Sequence, residues 1–492
     1  MPLLANYNFI LNHFYQYGAY LHDSGWFAAV MWRNGWEMTN PGAINDASYL
    51  NTHFAPIFWL TSAMSWLLPI GMVEFFALFQ ALAYGGFAVA VYWLLTTSFG
   101  LRGWWGGAIA TLVAILFAFN GLIQDTVGYP HYEVAIASTL ILFLCFWVQG
   151  RYRIATFWFV LCLIMREDAG FHVVAVLSLV VLWRWFQGQA LKEQRRTLAY
   201  IGVGFFYSVM ALVIQKQFFP SDSAFTRIYI GEPPFAHLTS SLLAERAEYY
   251  LTERFDLYWP LLAVAIWAWL ARNPYLLIGY LAYVPWFLLN ASAVSGAAGR
   301  LFTYYAYPFI ISLFWPLVGC LLQRRRLRRG DRLFSITAFA VVAFSSLLGL
   351  MLSRGGKLSR MVRGYHPLPA AIELSHIHQV RELLARQPNV LGQVWVTPPV
   401  AAIAPRTVTA AQVLPALEDK DPSQYPAVDT IIYYEQSAGD EDARRLAQAA
   451  GLVYGYQVRD TPLRVWSNRS LGEERILPDS LVPIPLLPNP YP

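Results

Sequence analysis

The sequence predicts an α-helical polytopic membrane protein with about ten or eleven spans and a C-terminal α/β domain outside the membrane. The first observation is composition, because 57% of the 492 residues are hydrophobic and only 13% are charged, whereas soluble globular proteins carry about 25% charged residues. The second is the distribution of charge: residues 1–352 hold 37 of the 65 charged residues, and the last 140 residues hold 28. These observations exclude an ordinary water-soluble enzyme.

Apolar stretches of about the 20 residues needed to cross the hydrocarbon core follow one another along the chain. They lie at 72–98, 104–121, 133–149, 152–166, 169–187, 198–219, 257–271, 274–290, 304–322 and 333–352. The apolar segment 54–68 ends at Pro69 and is shorter, so we expect a helix at the membrane interface there.

After Leu352 the composition changes, and three segments alternate as strands, at 393–397, 428–434 and 452–458. Apolar residues have helical spacing at 376–386, before the first of these strands, and at 440–450, between the second and the third, which favours an α/β domain. We therefore divide the chain into a first external loop with juxtamembrane helices at 1–71, a transmembrane domain at 72–352, an external α/β domain at 353–476 and an extended Pro-rich tail at 477–492.

The amino end and the cysteines add two expectations. Residues 1–20 lack the charged start, apolar core and cleavage site of a secretory signal. Because no convincing span precedes Asp23, we expect that the native start lies upstream or that the amino end begins on the far side of the membrane. Cys145, Cys162 and Cys320 lie inside apolar runs, which is typical of small packing residues.

The distribution of Lys and Arg predicts the orientation. The loops on one side of the first 352 residues carry 14 basic and 2 acidic residues, and the opposite side carries 14 acidic and 7 basic ones. Basic loops face the cytoplasm, so we expect any chemistry to be external. The basic run at 324–332 is best explained by contact with anionic membrane lipid, and nucleic acid is not indicated.

The first polar cluster on the predicted external face contains His22, Asp23 and Trp26, followed by His53. The Asp23 carboxylate can act as a general base toward a hydroxyl or an amine, and His22 can orient it or bind a ligand phosphate. The alternative is that Asp23 caps a helix.

The second cluster contains His131 and Glu133 at the external end of a span. An acid at that depth is costly unless it pairs or faces a watery cavity, so it predicts a functional site. The alternative is a stabilising interaction with the helix dipole from the first turn.

The third cluster, Arg166-Glu167-Asp168, lies between two apolar runs. Arg166 can bind a phosphate bidentately, while Glu167 or Asp168 can hold that arginine, bind a metal or serve as a base. Alternatively, an internal salt bridge seals the hairpin.

The fourth cluster includes Arg300 and Tyr304. Arg300 can meet an anion, and tyrosines here can line a sugar or a lipid, although interfacial tyrosine belts are common. No Gly-rich phosphate loop, Gly-x-Ser-x-Gly element or HExxH motif occurs, which argues against nucleotide chemistry. The histidines are scattered, so no metal site is assigned, and a divalent cation stays open.

Several elements together resemble a family of bacterial polytopic membrane proteins that is itself similar to the GT-C glycosyltransferases. They are the His-Asp-x-Gly-x-Phe element at 22–27, the His-Phe-x-Pro-Ile element at 53–57, His131-x-Glu133 and Arg166-Glu167-Asp168-Ala169. The resemblance covers residues 20 to about 310. This sequence differs in two ways from GT-C enzymes such as the protein O-mannosyltransferases and aminoarabinose transferases. It shows no span before Asp23, and it carries a single acid at that position.

The resemblance implies a membrane glycosyltransferase in the bacterial inner (plasma) membrane that moves a sugar from a polyprenyl phosphate to an unknown glycan, lipid or protein acceptor. It implies Asp23 as the base, and Arg166 or Arg300 at the donor phosphate. The expected catalytic residues are Asp23, His22, Glu133, Glu167 and Asp168, and the expected substrate-binding residues are His53, His131, Arg166, Arg300, Tyr304 and Trp26. The hypothesis requires Asp23, Glu133 and Arg166 to share one cavity.

Two other classes compete with this interpretation. A transporter or flippase of a lipid-linked or small polar solute would use the intramembrane acids to bind protons or ions, and interruptions in the helices would favour it. A noncatalytic membrane assembly component would use the external α/β domain as its binding module.

Overall fold

The computed structural model describes the chain in segments. They are 1–15, 23–32, 38, 48–219, 225–293, 296, 298–301, 303–324, 379–380, 382–384, 390–393, 407–408, 429–434, 447–448, 450–459, 463–471 and 481–484. Two compact units emerge from the contacts. Unit 1 comprises Met1–Asn6, Leu50–Ile57 and Gln80–Gly364, and unit 2 comprises Tyr7–Tyr49, Phe58–Phe79 and Tyr365–Pro492.

The described helices follow the chain order. They are α1 Pro2–Tyr15, α2 Asp23–Met31, α3 Ile57–Leu67, α4 Met72–Thr97, α5 Gly103–Ala118, α6 Gly121–Val127, α7 Val134–Gln149, α8 Tyr152–Leu163, α9 Ala169–Phe186, α10 Arg195–Phe218, α11 Ser240–Glu253, α12 Phe255–Leu270, α13 Ile278–Leu289 and α14 Tyr307–Arg324. Short 3₁₀ turns precede α10, α13 and α14, at Leu191–Gln194, Pro274–Leu277 and Thr303–Ala306, and a π turn lies at Thr226–Ile230.

Apolar helices lie at nine of the ten predicted span positions, and the tenth, 333–352, lies outside the described residues. Within the described residues, four helices are long and apolar enough to cross a membrane, and the α5–α6 pair, bent by 53°, adds a fifth if it is one span. Other apolar helices are shorter: α7 has 16 residues, or about 24 Å at 1.5 Å per residue. The predicted total of ten or eleven spans therefore stays a prediction.

The surface of α10 suits a lipid environment. Exposed side chains on this helix include Val203, Phe205, Phe206 and Val213, and water solvates such a surface poorly. On its packed side, Gly204 lies against Gly170 of α9, and a Cβ on Gly170 would overlap the Gly204 carbonyl oxygen. Small residues at the crossing let two helices approach closely, which is a common way to pack helices in membranes.

The amino-terminal part of unit 2 packs through aromatic rings. Phe27 of α2 lies 6.1 Å from Tyr49 and 6.5 Å from Phe58 of α3, measured between ring centroids. The structure thus places helices at 2–15 and 23–31 within the predicted first external loop, and α3 lies within the predicted interfacial segment.

The C-terminal part of unit 2 contains a six-stranded sheet in the order β2-β1-β3-β5-β4-β6. The strands are β1 Val390–Gln393, β2 Thr407–Val408, β3 Thr430–Tyr434, β4 Tyr454–Val458, β5 Leu463–Ser467 and β6 Leu481–Ile484. β1 pairs in parallel with β2 and β3, and the other pairs are antiparallel. The strands predicted at 428–434 and 452–458 lie at β3 and β4, whereas β1 precedes its predicted position at 393–397.

One strand of the sheet, β6, lies beyond the domain boundary predicted at residue 476. This strand lies inside the predicted Pro-rich tail and pairs with β4, Pro483 opposite Tyr456. Proline has no N–H to donate and is tolerated on an edge strand, and β6 is an edge of the sheet. The sheet therefore extends into the segment that was predicted as a separate tail.

Candidate functional site

Four segments of unit 1 bring their polar side chains together at the predicted external ends of the helices. Glu133 immediately precedes α7, Asp168 immediately precedes α9, and Tyr307 begins α14. We define the charged cluster as His53, His131, Glu133, Arg166, Glu167, Asp168, His172, Tyr304 and Tyr307. All of the predicted clusters contribute to it, since His53 comes from the first and Tyr304 from the fourth.

Arg166 lies at the centre of this cluster. Its Nε donates to Asp168 Oδ1 at 2.6 Å, and its Nη2 donates to Asp168 Oδ2 and to the Tyr307 hydroxyl, the latter at 3.2 Å. Its Nη1 forms an ion pair with Glu133 Oε1. The guanidinium is buried and already engaged by two carboxylates, so the geometry fits the internal salt bridge offered as an alternative to phosphate binding.

Asp168 is fully buried and shares its carboxylate with Arg166. Burial opposes its charge, but the adjacent Arg166 guanidinium outweighs that effect, so the pKa of Asp168 lies well below its usual range. His172, one turn along α9, places its Nε2 3.6 Å from Asp168 Oδ2 and 2.8 Å from the Tyr307 hydroxyl. The Asp168 carboxylate thereby holds one side of Arg166, one of the roles predicted for it.

Glu167 holds a different segment. Its Oε2 accepts from the backbone N–H of Phe54 at 2.9 Å, and its Oε1 lies 2.8 Å from Nδ1 of His53. The backbone N–H of Ile57 also donates to the carbonyl of Ile164 at 2.8 Å. The Leu50–Ile57 segment is thereby fixed against the turn that carries Arg166.

Glu133 faces three groups. Besides Arg166, its carboxylate oxygens lie 4.0 Å from His53 Nε2 and 3.7 Å from His131 Nδ1. The His131 ring stacks on Tyr304, with centroids 3.8 Å apart and planes 7° apart. The Glu133 side chain makes no capping hydrogen bond to α7, so its described contacts are those within the cluster.

The cluster carries an excess of acid. As defined, it has three carboxylates, one guanidinium and three histidines. An acidic, buried environment stabilises positive charge that develops during a reaction. Within the described residues, no group of three or more His, Cys, Asp or Glu side chains could hold a metal ion.

The other predicted site residues lie elsewhere or outside the described residues. Arg300 is exposed in the connection between α13 and α14, where its carbonyl accepts from Nη1 of Arg254 at 2.7 Å. Asp23 begins α2. His22 and the side chains of Asp23 and Trp26 lie outside the described residues. The shared cavity required for Asp23, Glu133 and Arg166 therefore stays a prediction, and Glu133 and Arg166 are in contact.

Several residues that make buried polar contacts in unit 1 were not among the predicted site residues. Arg246 of α11 is fully buried and donates to backbone carbonyls at the end of α13, including Leu288 O at 2.7 Å and Ser292 O at 3.1 Å. An arginine on a polar helix carries no signal that separates it from a solvated one. His172 follows the third predicted cluster, four residues after Asp168, and Tyr307 belongs to the fourth, three residues after Tyr304. Neither was among the expected site residues.

Comparison with solved structures shows that the fold is similar to that of a GT-C glycosyltransferase. The particular structure is ArnT from Cupriavidus metallidurans bound to undecaprenyl phosphate, with a TM-score of 0.52 and 14% sequence identity over 95% of this chain and 97% of ArnT. The apo state of ArnT from the same organism gives a TM-score of 0.41 and 15% identity over 91% and 93%. No protein-family model and no curated protein matches the sequence. The predicted resemblance is confirmed at the level of the fold.

Proposed function

We propose that the protein is a membrane glycosyltransferase that transfers a sugar from a polyprenyl-phosphate donor to an acceptor on the external (periplasmic) face of a bacterial inner membrane. The fold supports this proposal, because the similar ArnT structure holds undecaprenyl phosphate. The observation that carries it is the buried charged cluster, which unites four separate segments at the helix ends predicted to be external. An acid-rich cluster with an aromatic partner, His131 on Tyr304, suits a sugar more than a packing core.

The proposed reaction needs no nucleotide-binding site, because the sugar of the donor already carries phosphate as its leaving group. The phosphate leaves with the electron pair of its bond to the sugar, so the sugar develops positive charge in an oxocarbenium-like transition state. The carboxylates of the cluster oppose that charge. The resemblance nominates Asp23 as the base for the acceptor, and His53, His131, Tyr304 and Trp26 as contacts of the substrate.

The donor phosphate needs a positively charged group, and the resemblance implies Arg166 or Arg300. Arg166 is engaged by Glu133 and Asp168, so Arg300, whose side chain is exposed, becomes the first candidate. Of the two arginines that the resemblance implies at the donor phosphate, we therefore assign Arg300.

The test is native mass spectrometry of the purified protein with undecaprenyl phosphate as the probe. We expect the unaltered chain and Asp23→Asn to retain the lipid, and Arg300→Ala to bind it at least about tenfold more weakly, as expected for the loss of one charge-assisted contact. Arg153→Ala is the matched control, because Arg153 is an exposed arginine at the start of α8, on the predicted cytoplasmic side. Failure of the unaltered chain to bind the probe would refute the proposal.

One observation favours the transporter or flippase as a second candidate. The α5–α6 pair is bent by 53°, and broken helices are typical of transporter substrate sites. Proteoliposomes separate the two candidates: movement of a labelled polyprenyl-phosphate sugar across the bilayer without loss of the sugar from the lipid would support transport.

A further inference from the structure

The three carboxylates of the charged cluster differ in how their oxygens are engaged. Asp168 uses both oxygens on Arg166, with Oδ1 accepting from Nε at 2.6 Å and Oδ2 accepting from Nη2. Glu167 also uses both, since Oε2 accepts from the Phe54 N–H at 2.9 Å and Oε1 lies 2.8 Å from His53 Nδ1. Both side chains are fully buried. The oxygens of these two carboxylates are therefore engaged within the protein and enclosed by it.

Glu133 differs from both, because only one of its oxygens makes a direct contact. Oε1 forms the ion pair with Nη1 of Arg166. Oε2 accepts no hydrogen bond from the described residues, and Nδ1 of His131, at 3.7 Å, lies beyond hydrogen-bonding distance. Buried side-chain atoms that lack a partner in the described part of the chain include Nδ1 of His172 but not Oε2 of Glu133. This oxygen is therefore in contact with solvent.

Oε2 of Glu133 also lies beside the aromatic pair that the proposed function assigns to the sugar. The Nδ1 atom 3.7 Å away belongs to His131, whose ring stacks on Tyr304 with centroids 3.8 Å apart. A sugar in contact with this pair would meet Oε2 before the enclosed oxygens of Asp168 and Glu167.

The ion pair with Arg166 determines what this oxygen can do. An adjacent cation favours the ionised form of a carboxylate, so Glu133 presents a fixed negative charge. A preorganised charge of this kind stabilises the opposite charge that develops in a transition state. Arg166 is itself held by Asp168 and by the Tyr307 hydroxyl, 3.2 Å from Nη2. That hydroxyl also lies 2.8 Å from Nε2 of His172, so the charge is oriented by residues of two other segments.

We propose that Glu133 is a catalytic residue whose Oε2 faces the anomeric centre of the donor sugar, and that Arg166 is its positioning residue. The proposal rests on the proposed function and selects one of the three carboxylates. As the acceptor oxygen or nitrogen bonds to the anomeric carbon, the bond from that carbon to the phosphate oxygen breaks, and its electron pair stays on the phosphate. The acceptor proton passes to the base, for which the resemblance nominates Asp23. Glu133 takes no proton and stabilises the positive charge of the sugar.

The competing explanation is that Glu133 serves only as the counterion of Arg166. Glu133→Gln keeps the length of the side chain and an acceptor for Nη1, but it removes the charge. Glu133→Asp keeps the charge and shortens the side chain by one methylene. A mere counterion would change the stability of the protein and leave the rate per folded molecule unaltered, whereas a charge that acts on the sugar changes that rate.

The experiment uses the full chain in proteoliposomes with undecaprenyl phosphate carrying glucose, mannose, galactose or arabinose, each labelled in the sugar, and an envelope extract as the source of acceptor. The rate at which label leaves the polyprenyl fraction is measured over a range of donor concentrations and from pH 5 to pH 9. Native mass spectrometry with undecaprenyl phosphate and the midpoint of thermal unfolding are recorded for each variant. Glu248→Gln is the matched control, because Glu248 is an exposed acid of α11 outside the cluster.

We expect Glu133→Gln to bind undecaprenyl phosphate and to keep its KM, yet to lower kcat by about 100-fold, as for the loss of one preorganised electrostatic contact. The shape of its pH profile should stay the same, because Glu133 takes no proton in the transfer. Glu133→Asp should be faster than Glu133→Gln, since the charge remains. The Glu248→Gln control should match the unaltered chain.

Tyr307→Phe tests the positioning role of Arg166, because it removes the hydroxyl that accepts from Nη2 and keeps the ring. We expect it to slow transfer by about tenfold in the otherwise unaltered chain but by less than about twofold in Glu133→Gln, because both changes act through one carboxylate. Equal slowing in the two backgrounds would show that Arg166 does not act through Glu133.

Three results would overturn the inference as a whole. If Glu133→Gln transfers sugar at the original rate per folded molecule, Glu133 is only a counterion and the proposed function stands. If Glu133→Gln instead loses a limb of the pH profile, Glu133 exchanges a proton and the electrostatic role is wrong. If the unaltered chain consumes none of the four donors, the proposed function fails and the inference fails with it.

Discussion

At the scale of single residues, Arg166 is a buried cation that depends on its two acidic partners. Asp168 holds it through two hydrogen bonds, and Glu133 pairs with its remaining Nη. Breaking such a buried pair leaves an uncompensated charge, which costs about 3–5 kcal/mol. The residue therefore controls the stability of the site more directly than a surface arginine would.

We expect Arg166→Ala to lower the thermal unfolding midpoint of the purified protein strongly, because Glu133 and Asp168 lose their countercharge. Adding Asp168→Asn to that variant should restore part of the loss, since one of the two stranded charges is removed. Differential scanning fluorimetry in detergent measures both. An Arg166→Ala protein as stable as the unaltered chain would show that the guanidinium is not paired as described.

At the scale of elements, the crossing of α9 and α10 depends on glycine. A Cβ on Gly170 would overlap the Gly204 carbonyl and lie 2.6 Å from the Ser208 hydroxyl oxygen. The two helices would have to separate, and overpacking of this kind costs about 1–3 kcal/mol.

We therefore expect Gly170→Ala to destabilise the protein, measured as a lower unfolding midpoint. Gly202→Ala on α10 is the matched control, because a Cβ there meets nothing within 4 Å and alanine favours a helix by about 1 kcal/mol over glycine. Equal midpoints for the two variants would mean that α9 and α10 do not approach closely at Gly170.

A second feature at this scale is the C-terminal end of α13, which is contacted by Arg246 of α11. Arg246 donates to the carbonyls of Phe287, Leu288, Asn290 and Ser292 at the end of α13. A positive charge and several donors at a helix C-terminus satisfy carbonyls that have no partner within the helix.

We expect Arg246→Ala to speed amide hydrogen exchange across 287–293 by about tenfold or more, because the carbonyls of this segment lose their donor. Arg246→Lys should restore little, because a single ammonium group lacks the fork that reaches separate carbonyls. Glu248→Ala, at an exposed position of α11, is the control. Unchanged exchange in Arg246→Ala would contradict the support assigned to this residue.

At the scale of the whole molecule, the main prediction is the orientation in the membrane. Large exposed aromatic side chains lie at the helix ends predicted to be cytoplasmic, among them Trp104, Trp105, Trp185 and Trp269. Tryptophan is enriched at membrane–water interfaces. The positions of these side chains are therefore consistent with spans that end at the cytoplasmic interface.

Cysteine labelling tests the orientation, and the native cysteines suit it because Cys145, Cys162 and Cys320 are buried. With a membrane-impermeant maleimide on spheroplasts, we expect Ala236→Cys and Val453→Cys to be labelled directly, and Ala190→Cys to be labelled only after permeabilisation. All three positions are exposed. Direct labelling of Ala190→Cys alone would reverse the predicted orientation, and protection of Val453→Cys would place the C-terminal domain inside.

The sequence by itself determined the apolar helices, two of the central strands and most of the residues that form the charged cluster. These depend on composition and periodicity over stretches of a few to about 20 residues, which a single sequence displays. It could not place α11 or the edge strand β6, because a polar helix and a Pro-rich strand lack a strong pattern of their own.

Only the tertiary structure decided which polar groups pair. The contacts of His53 with Glu167 and of Arg166 with Tyr307 join residues 114 and 141 positions apart, and no local pattern carries such information. From the sequence, Arg166 could bind a phosphate or form an internal salt bridge. In the structure, the packing of α7, α9 and α14 brings it into ion pairs with Glu133 and Asp168. The reason is physical: burying a charge in an apolar interior demands a partner, and only the arrangement of the helices determines which partner is within reach.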